Sequence, residues 1–344
     1  MFRPSAWSIC LALALGLPSL TGCTTFLARQ MVEAPNKLQT PPEKQAKLAA
    51  FFDQVRNQDF SRTAMVPVGP PLADLSIAVM PPGNADAEYH ASVTRHEASM
   101  QFKPGKLRPY SSRPMGTIVL LPAFQNGKFM MLPWASVMAK AGYQCVLVDL
   151  RGEGLSTGNW ITWGNVESRD VQQLIHWLNT RNIVYGPLVL MGVSYGATVA
   201  LRTAALDPQV RAVVAIEPFV SAVDVIQRGG RIMFPTLSHF VSDAHMGEAV
   251  KEADQLADTR LETATALPAA SSLHIPVLYI YGGKDHFVPA TDQQQLISAT
   301  RRAEHLSIPA ANHMTLPIEF PKYQQPVLDW LARTLNNESA PPPR

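Results

Sequence analysis

The chain has 344 residues, with 29 Lys plus Arg against 27 Asp plus Glu and a formal net charge of +2. That near-balance removes the electrostatic ground for a polyanionic partner such as nucleic acid. A hydrophobic content of 47% rules out a chain that is disordered throughout. The length suits one large domain with insertions or two modest ones, with a sizeable core.

From the start, Arg3 precedes an apolar run, Ile9 to Leu17, that is short for a membrane span. Leu20-Thr21-Gly22-Cys23 follows and resembles a bacterial lipobox. The resemblance implies that residues 1–22 are a signal peptide and that Cys23 receives the lipid. Thr24 rather than Asp comes next, which by similarity to Gram-negative lipoproteins implies sorting to the outer membrane, facing the periplasm. Cys10 would leave with the signal, so Cys145 is the one free thiol. It lies in an apolar stretch, where cysteine acts as a small hydrophobe, and neither a disulfide nor a redox role is expected.

Residues 23–42 read as a tether ending at Pro41-Pro42, and 43–335 as the folded domain. A helix packed on that domain is expected over 43–57, from the spacing of Leu48, Phe51, Phe52 and Val55. Strands are expected at Leu75–Met80 and Ser92–Phe102. From Gly116 a regular alternation begins. Strands fall at 117–121, 145–150, 188–193, 211–216, 277–281 and 305–308, with helices at 134–141, 166–179, after 195, 293–299 and 323–335. This alternation predicts an α/β fold, a mostly parallel central sheet with helices on both faces. Residues 219–272 are too long for a loop and read as an inserted helical cap, with turn signals at Gly229-Gly230 and Pro235. The tail, 336–344, is expected to be disordered.

The run Leu188–Val193 leads into Gly192-Val193-Ser194-Tyr195-Gly196 and then into a helix-forming segment. A serine there must sit on a very tight turn, with Gly192 and Gly196 removing Cβ clashes. Strand, Gly-x-Ser-x-Gly and helix together resemble the nucleophile elbow of the α/β-hydrolases. The resemblance covers about residues 115–335 and is closest in detail to the lysophospholipase and serine-aminopeptidase-like members. It implies a triad in the order Ser, acid, His, because a serine hydroxyl needs a base and the base needs a carboxylate. Asp285, in Tyr281-Gly-Gly-Lys-Asp-His-Phe-Val-Pro289, matches the acid loop, and Glu217 is the alternative acid. His313, in the loop after the last strand, matches the base, with His286 and His305 as competitors. The oxyanion donors would be the backbone N–H groups of Tyr195 and Phe124. The family's usual His-Gly before the second donor is replaced here by Leu121-Pro122-Ala123. Asp149-Leu-Arg-Gly-Glu-Gly-Leu-Ser156 resembles a structural loop beside the elbow.

No Gly-x-Gly-x-x-Gly follows a strand and no His-x-x-x-His pair occurs, so no cofactor and no metal is expected. The expected activity is a serine hydrolase cleaving a carboxylic ester, with a small-molecule or lipid ester as substrate and the membrane as partner through the anchor. Aminopeptidase, thioesterase or acyltransferase chemistry on the same triad remains open. So does a binding module that keeps the fold without catalysis.

Overall fold

A computed structural model describes residues 20–37, 60–85, 87–93, 98–103, 105–238 and 241–338. The expected helix at 43–57 lies outside the described residues.

The chain opens with α1 (Leu20–Val32). The edge strands β1 (Arg62–Val68) and β2 (Ala73–Met80) come next, then the short β3 (Gly83–Ala85), β4 (Glu88–Val93), β5 (Ala98–Lys103) and β6 (Leu107–Pro109). The alternating body runs β7 (Thr117–Leu121), α2 (Leu132–Lys140), β8 (Gln144–Val148), α3 (Glu167–Thr180), β9 (Leu188–Val193), α4 (Tyr195–Leu206) and β10 (Val210–Ile216). The cap holds α5 (Ala222–Met233), α6 (Pro235–Ser238), α7 (Asp243–Ala257) and α8 (Leu267–Ser272). Then β11 (Val277–Gly282), α9 (Ala290–Ala299), β12 (Ala303–Ile308) and α10 (Gln324–Glu338) close the fold.

The central sheet has the order β1-β2-β8-β7-β9-β10-β11-β12. The first two strands join antiparallel and the other six are parallel. Strands β7, β8 and β9 are buried at every residue. Helices cover both faces, which is why these strands read as unbroken apolar runs rather than alternating ones. The core divides accordingly. One apolar cluster packs α3, α4 and the cap against one face, and a second packs α2 and α10 against the other.

Four expectations need correction. The stretch read as a tether is structured over 24–37. Ala28, Met31, Val32 and Ala34 are buried, α1 packs against α7, and Asn36 Nδ2 donates to the Ser156 carbonyl at 2.6 Å. The expected strand Ser92–Phe102 is instead a hairpin, β4 paired antiparallel with β5 in a small sheet of its own. The closing helix runs on to Glu338, past the expected start of a disordered tail. In the cap, Gly229-Gly230 lies inside α5 rather than at a turn.

Candidate active site

Strand β9 sits at the middle of the parallel sheet, between β7 and β10, so its carboxyl end opens where several loops converge. Ser194 follows it with φ 51° and ψ −113°, in a region that side chains other than glycine seldom adopt. Two close approaches make that turn possible. A Cβ on Gly192 would lie 2.3 Å from the Gly196 backbone, and one on Gly196 would lie 2.4 Å from the Leu121 carbonyl oxygen. Helix α4 starts at the next residue, and the serine side chain is left half-buried at the head of the loop cluster.

The loops bring three distant side chains into one line. Ser194 Oγ is 2.9 Å from His313 Nε2, and His313 Nδ1 is 2.7 Å from Asp285 Oδ2. With Nδ1–H donating to the carboxylate, Nε2 is left as an acceptor for the serine hydroxyl. Asp285 is itself held by Phe287 N–H and Val288 N–H, each donating to Oδ1 at 2.8 Å. The Phe287 ring stacks on the imidazole, centroids 5.1 Å apart. His286 and His305 are exposed and stand outside this line.

Glu217 reaches the same imidazole from the end of β10, with Oε2 3.6 Å from His313 Nδ1. Its side chain is fully buried, its φ is 53°, and neither oxygen has a hydrogen-bond partner. Burial first, and then the neighbouring Asp285 charge, push its pKa well above the ordinary carboxylate value. Two carboxyls face one N–H: Asp285 makes the 2.7 Å hydrogen bond and is itself held by two backbone donors, while Glu217 stands off at 3.6 Å. Ligand atoms of Glu217, Asp285 and His313 lie within 4.8 Å of one another. The Asp285 and His313 atoms among them are already committed to each other and to backbone donors.

Opposite the histidine, the loop after β7 carries Phe124. Gln125 N–H and Asn126 N–H are spent on Glu153 Oε1 (2.9 Å) and the Ala123 carbonyl (3.1 Å). Ala197 N–H and Thr198 N–H are spent on the Ser194 carbonyl. Among the described residues, the N–H groups of Phe124 and Tyr195 keep no partner, as a developing oxyanion requires. Glu153 is buried, and burial above all lifts its pKa to about 9, so it holds this loop as a neutral acid. Below it, Asp149 takes hydrogen bonds from Lys128 N–H and Leu155 N–H and an ion pair from Lys128 Nζ at 2.5 Å. Arg151 pairs with both oxygens of Asp170.

Aromatic rings wall the serine side. Trp163 lies 4.9 Å from Phe124, 5.7 Å from Tyr195 and 5.9 Å from Phe219, between ring centroids. The cap is pinned at its stem by Arg202 of α4, whose guanidinium donates to Asn165 Oδ1 and to the carbonyls of Gly164, Thr263 and Thr265. Over the histidine, Arg228 of α5 donates to the Phe287 carbonyl and pairs with Asp292 at 2.7 Å. Sequence reasoning missed Phe287, Glu153, Arg202 and Arg228. Of these, Glu153 and Phe287 lay in stretches with a motif, though neither motif pointed to the side chain itself. Cys23 is the fourth residue of α1, which begins at Leu20.

Comparison with known proteins places this geometry. The X-Pro dipeptidyl-peptidase (S15 family) profile matches residues 84–274. An uncharacterised protein of Mycobacterium tuberculosis is 27% identical over 208 residues, 60% of this chain and 66% of that one. A polyketide transferase of Penicillium is 29% identical over 124 residues, 34% of this chain and 41% of that one. The chain thus spans less than two thirds of the length of these curated relatives. Among solved structures, an esterase of Pyrococcus furiosus superposes with a TM-score of 0.61 at 18% identity, covering 83% of this chain and 94% of that one. Family profile, parallel sheet and elbow agree: the chain belongs to the X-Pro dipeptidyl-peptidase (S15) family and has the α/β-hydrolase fold.

Proposed function

We propose that the protein hydrolyses carboxylic esters with an apolar acyl or alkyl part, through an acyl-enzyme on Ser194. The observation that carries this is the continuous hydrogen-bonded line from Ser194 Oγ through His313 to Asp285. In the first step Nε2 takes the hydroxyl proton as Oγ bonds to the ester carbonyl carbon, and the carbonyl oxygen becomes an oxyanion facing the Phe124 and Tyr195 N–H groups. The C–O bond to the alcohol then breaks, and His313 returns the proton to the departing oxygen. Water repeats the sequence: it gives a proton to Nε2, attacks the acyl carbon, and releases the acid and free Ser194. Asp285 stays ionised throughout and stabilises the imidazolium. Beside the serine, Phe124 is a partly buried, uncharged ring backed by the buried Trp163 and Phe219, which suits an apolar group.

We further propose that Cys23 is lipidated and holds the enzyme at the outer membrane, on the strength of Leu20-Thr21-Gly22-Cys23. Replacing Cys23 with Ser should release the protein from that fraction, and mass spectrometry finding an unmodified mature terminus elsewhere would sink the idea. A second reading is peptide hydrolysis, favoured by the name of the matching family. An amide leaving group needs protonation by the same His313, so the line alone serves both. Purified protein assayed on p-nitrophenyl esters of graded chain length, a lysophospholipid and an X-Pro anilide decides between them. Esters should be turned over fastest, with Ser194 labelled by a fluorophosphonate. A faster anilide would install the peptidase reading, and no labelling would leave a binding module.

A further inference from the structure

We propose that the end of the cap formed by Ile232, Met233 and Phe234, together with Phe26 of α1, is a docking surface for a phospholipid bilayer, placed so that the mouth of the Ser194 site faces lipid. The claim that the site then takes esters from that bilayer rests on the ester-hydrolase reading; the docking surface rests on the membrane-attachment reading alone.

Helix α5 buries Ala222 and Val225 near its start and leaves its far end uncovered. Ile232 is 42% exposed, Met233 63% and Phe234 43%. Consecutive large apolar residues left open in this way mark an interaction surface rather than ordinary exposure. The same helix touches the site. A Cβ on Gly229 would sit 3.4 Å from the Phe287 ring, and that ring stacks on His313. The uncovered residues follow one helical turn later.

The occupant is set by where the chain enters. Helix α1 packs along α7, and both helices end at the same segment. The Val32 carbonyl accepts from Ile161 N–H, and the Arg260 carbonyl, just past α7, accepts from Asn165 Nδ2. The two helices therefore run in the same direction, and their starts, Leu20 and Asp243, lie together. Asp243 in turn pairs with Arg231 at 3.2 Å, beside the uncovered end of α5. Phe26, 41% exposed, lies on this part of α1.

Reach completes the argument. Ala28 is fully buried, so α1 is fastened to the body there. Cys23 precedes it by five helical residues, about 8 Å at 1.5 Å per residue. Attachment to a bilayer at Cys23, or through the apolar run ahead of it, holds that bilayer close to the start of α1, the end that lies beside the start of α7. A second copy or a soluble protein would have to displace it.

The test uses the full chain and vesicles of phosphatidylethanolamine and phosphatidylglycerol. The triple variant Ile232→Ser, Met233→Ser, Phe234→Ser should keep fluorophosphonate labelling and the rate on p-nitrophenyl acetate. Its rate on a long-chain fluorogenic ester dissolved in the vesicles should fall by about tenfold or more. A flexible Gly-Ser spacer inserted after Thr24 should lower the vesicle rate as well. Met233→Cys carrying an environment-sensitive dye, read against the identically treated wild-type chain because Cys10 and Cys23 are also cysteines while Cys145 is buried, should shift to the blue on adding vesicles, also in the presence of Ser194→Ala. That last readout needs no turnover, so an inactive wild type would strike the ester reading alone. No dye shift, an unchanged vesicle rate in the triple variant, or a dimer that the triple variant dissociates with no effect on vesicles would each overturn the docking surface.

Discussion

The elbow and the cap both carry glycines, and the two sets do opposite work. Gly192 and Gly196 are there because backbone passes through the space a methyl would need. Gly230 in α5 and Gly247 in α7 have nothing within 4 Å of where a Cβ would stand. Around Ser194 the main chain itself dictates the geometry, so little can vary without losing the turn. In the cap, position comes from side-chain contacts such as Arg228 to Asp292 and Arg202 to the stem, with open space left between. The nucleophile's position is thus set where the backbone is crowded, and the cap's position where it is not.

The largest test of that contrast is Ser194→Ala. It should lower kcat by roughly 10⁵–10⁶ and leave the melting temperature nearly unchanged, because folding does not draw on the hydroxyl. His313→Ala should be almost as damaging and the double variant scarcely worse; additive losses would mean that the two do not act as one unit. Next comes the choice of acid. Asp285→Asn should cost about 10⁴ in kcat through the wrong imidazole tautomer, and Glu217→Gln less than tenfold, both read by steady-state kinetics on one ester. The reverse ranking would make Glu217 the acid.

Gly196→Ala should destabilise by about 3 kcal/mol or more, since the atom in the way is backbone and cannot swing aside. Denaturant unfolding measures it, and a shift under 1 kcal/mol would contradict the crowding argument. Glu153→Gln probes the loop that positions Phe124. A carboxyl whose folded pKa is raised, here from 4.5 to about 9, gives stability that is full below its unfolded value and lost as pH rises through the folded one. Relative to the glutamine variant, the wild type should therefore lose melting temperature between pH 5 and pH 9; parallel curves would show that Glu153 is charged in the fold. The smallest effect is Gly230→Ala, which should stabilise by about 0.5–1 kcal/mol by removing helix-interior glycine. A loss there would mean that the cap is as crowded as the elbow.

Much of the body was legible in the sequence for a physical reason. Strands covered on both faces need apolar residues along their length, and Ile118–Leu121, Cys145–Val148 and Leu188–Val193 supply them. Ser194, Asp285 and His313 stand at the carboxyl ends of such strands or in the loops after them, where chain order and resemblance could find them. Helix α1 could not be found that way. Among its described side chains it buries Ala28, Met31 and Val32, too few for a period to stand out, and its partner helix is far along the chain. Glycine misled in α5, where Gly229-Gly230 reads as a turn and is helix. Phe287 stacks on His313 through a loop geometry that no spacing encodes.

The docking of α1 also has a consequence for the order in which the protein matures. A helix that emerges first cannot find its place until residues 243–257 have been made and the 159–165 segment has folded over the sheet. Contacts that distant in sequence form late, because the loop they close must be paid for before they return anything. The beginning of the chain is therefore available to whatever machinery handles it while the rest is being built, and it becomes part of the body only when the cap is complete.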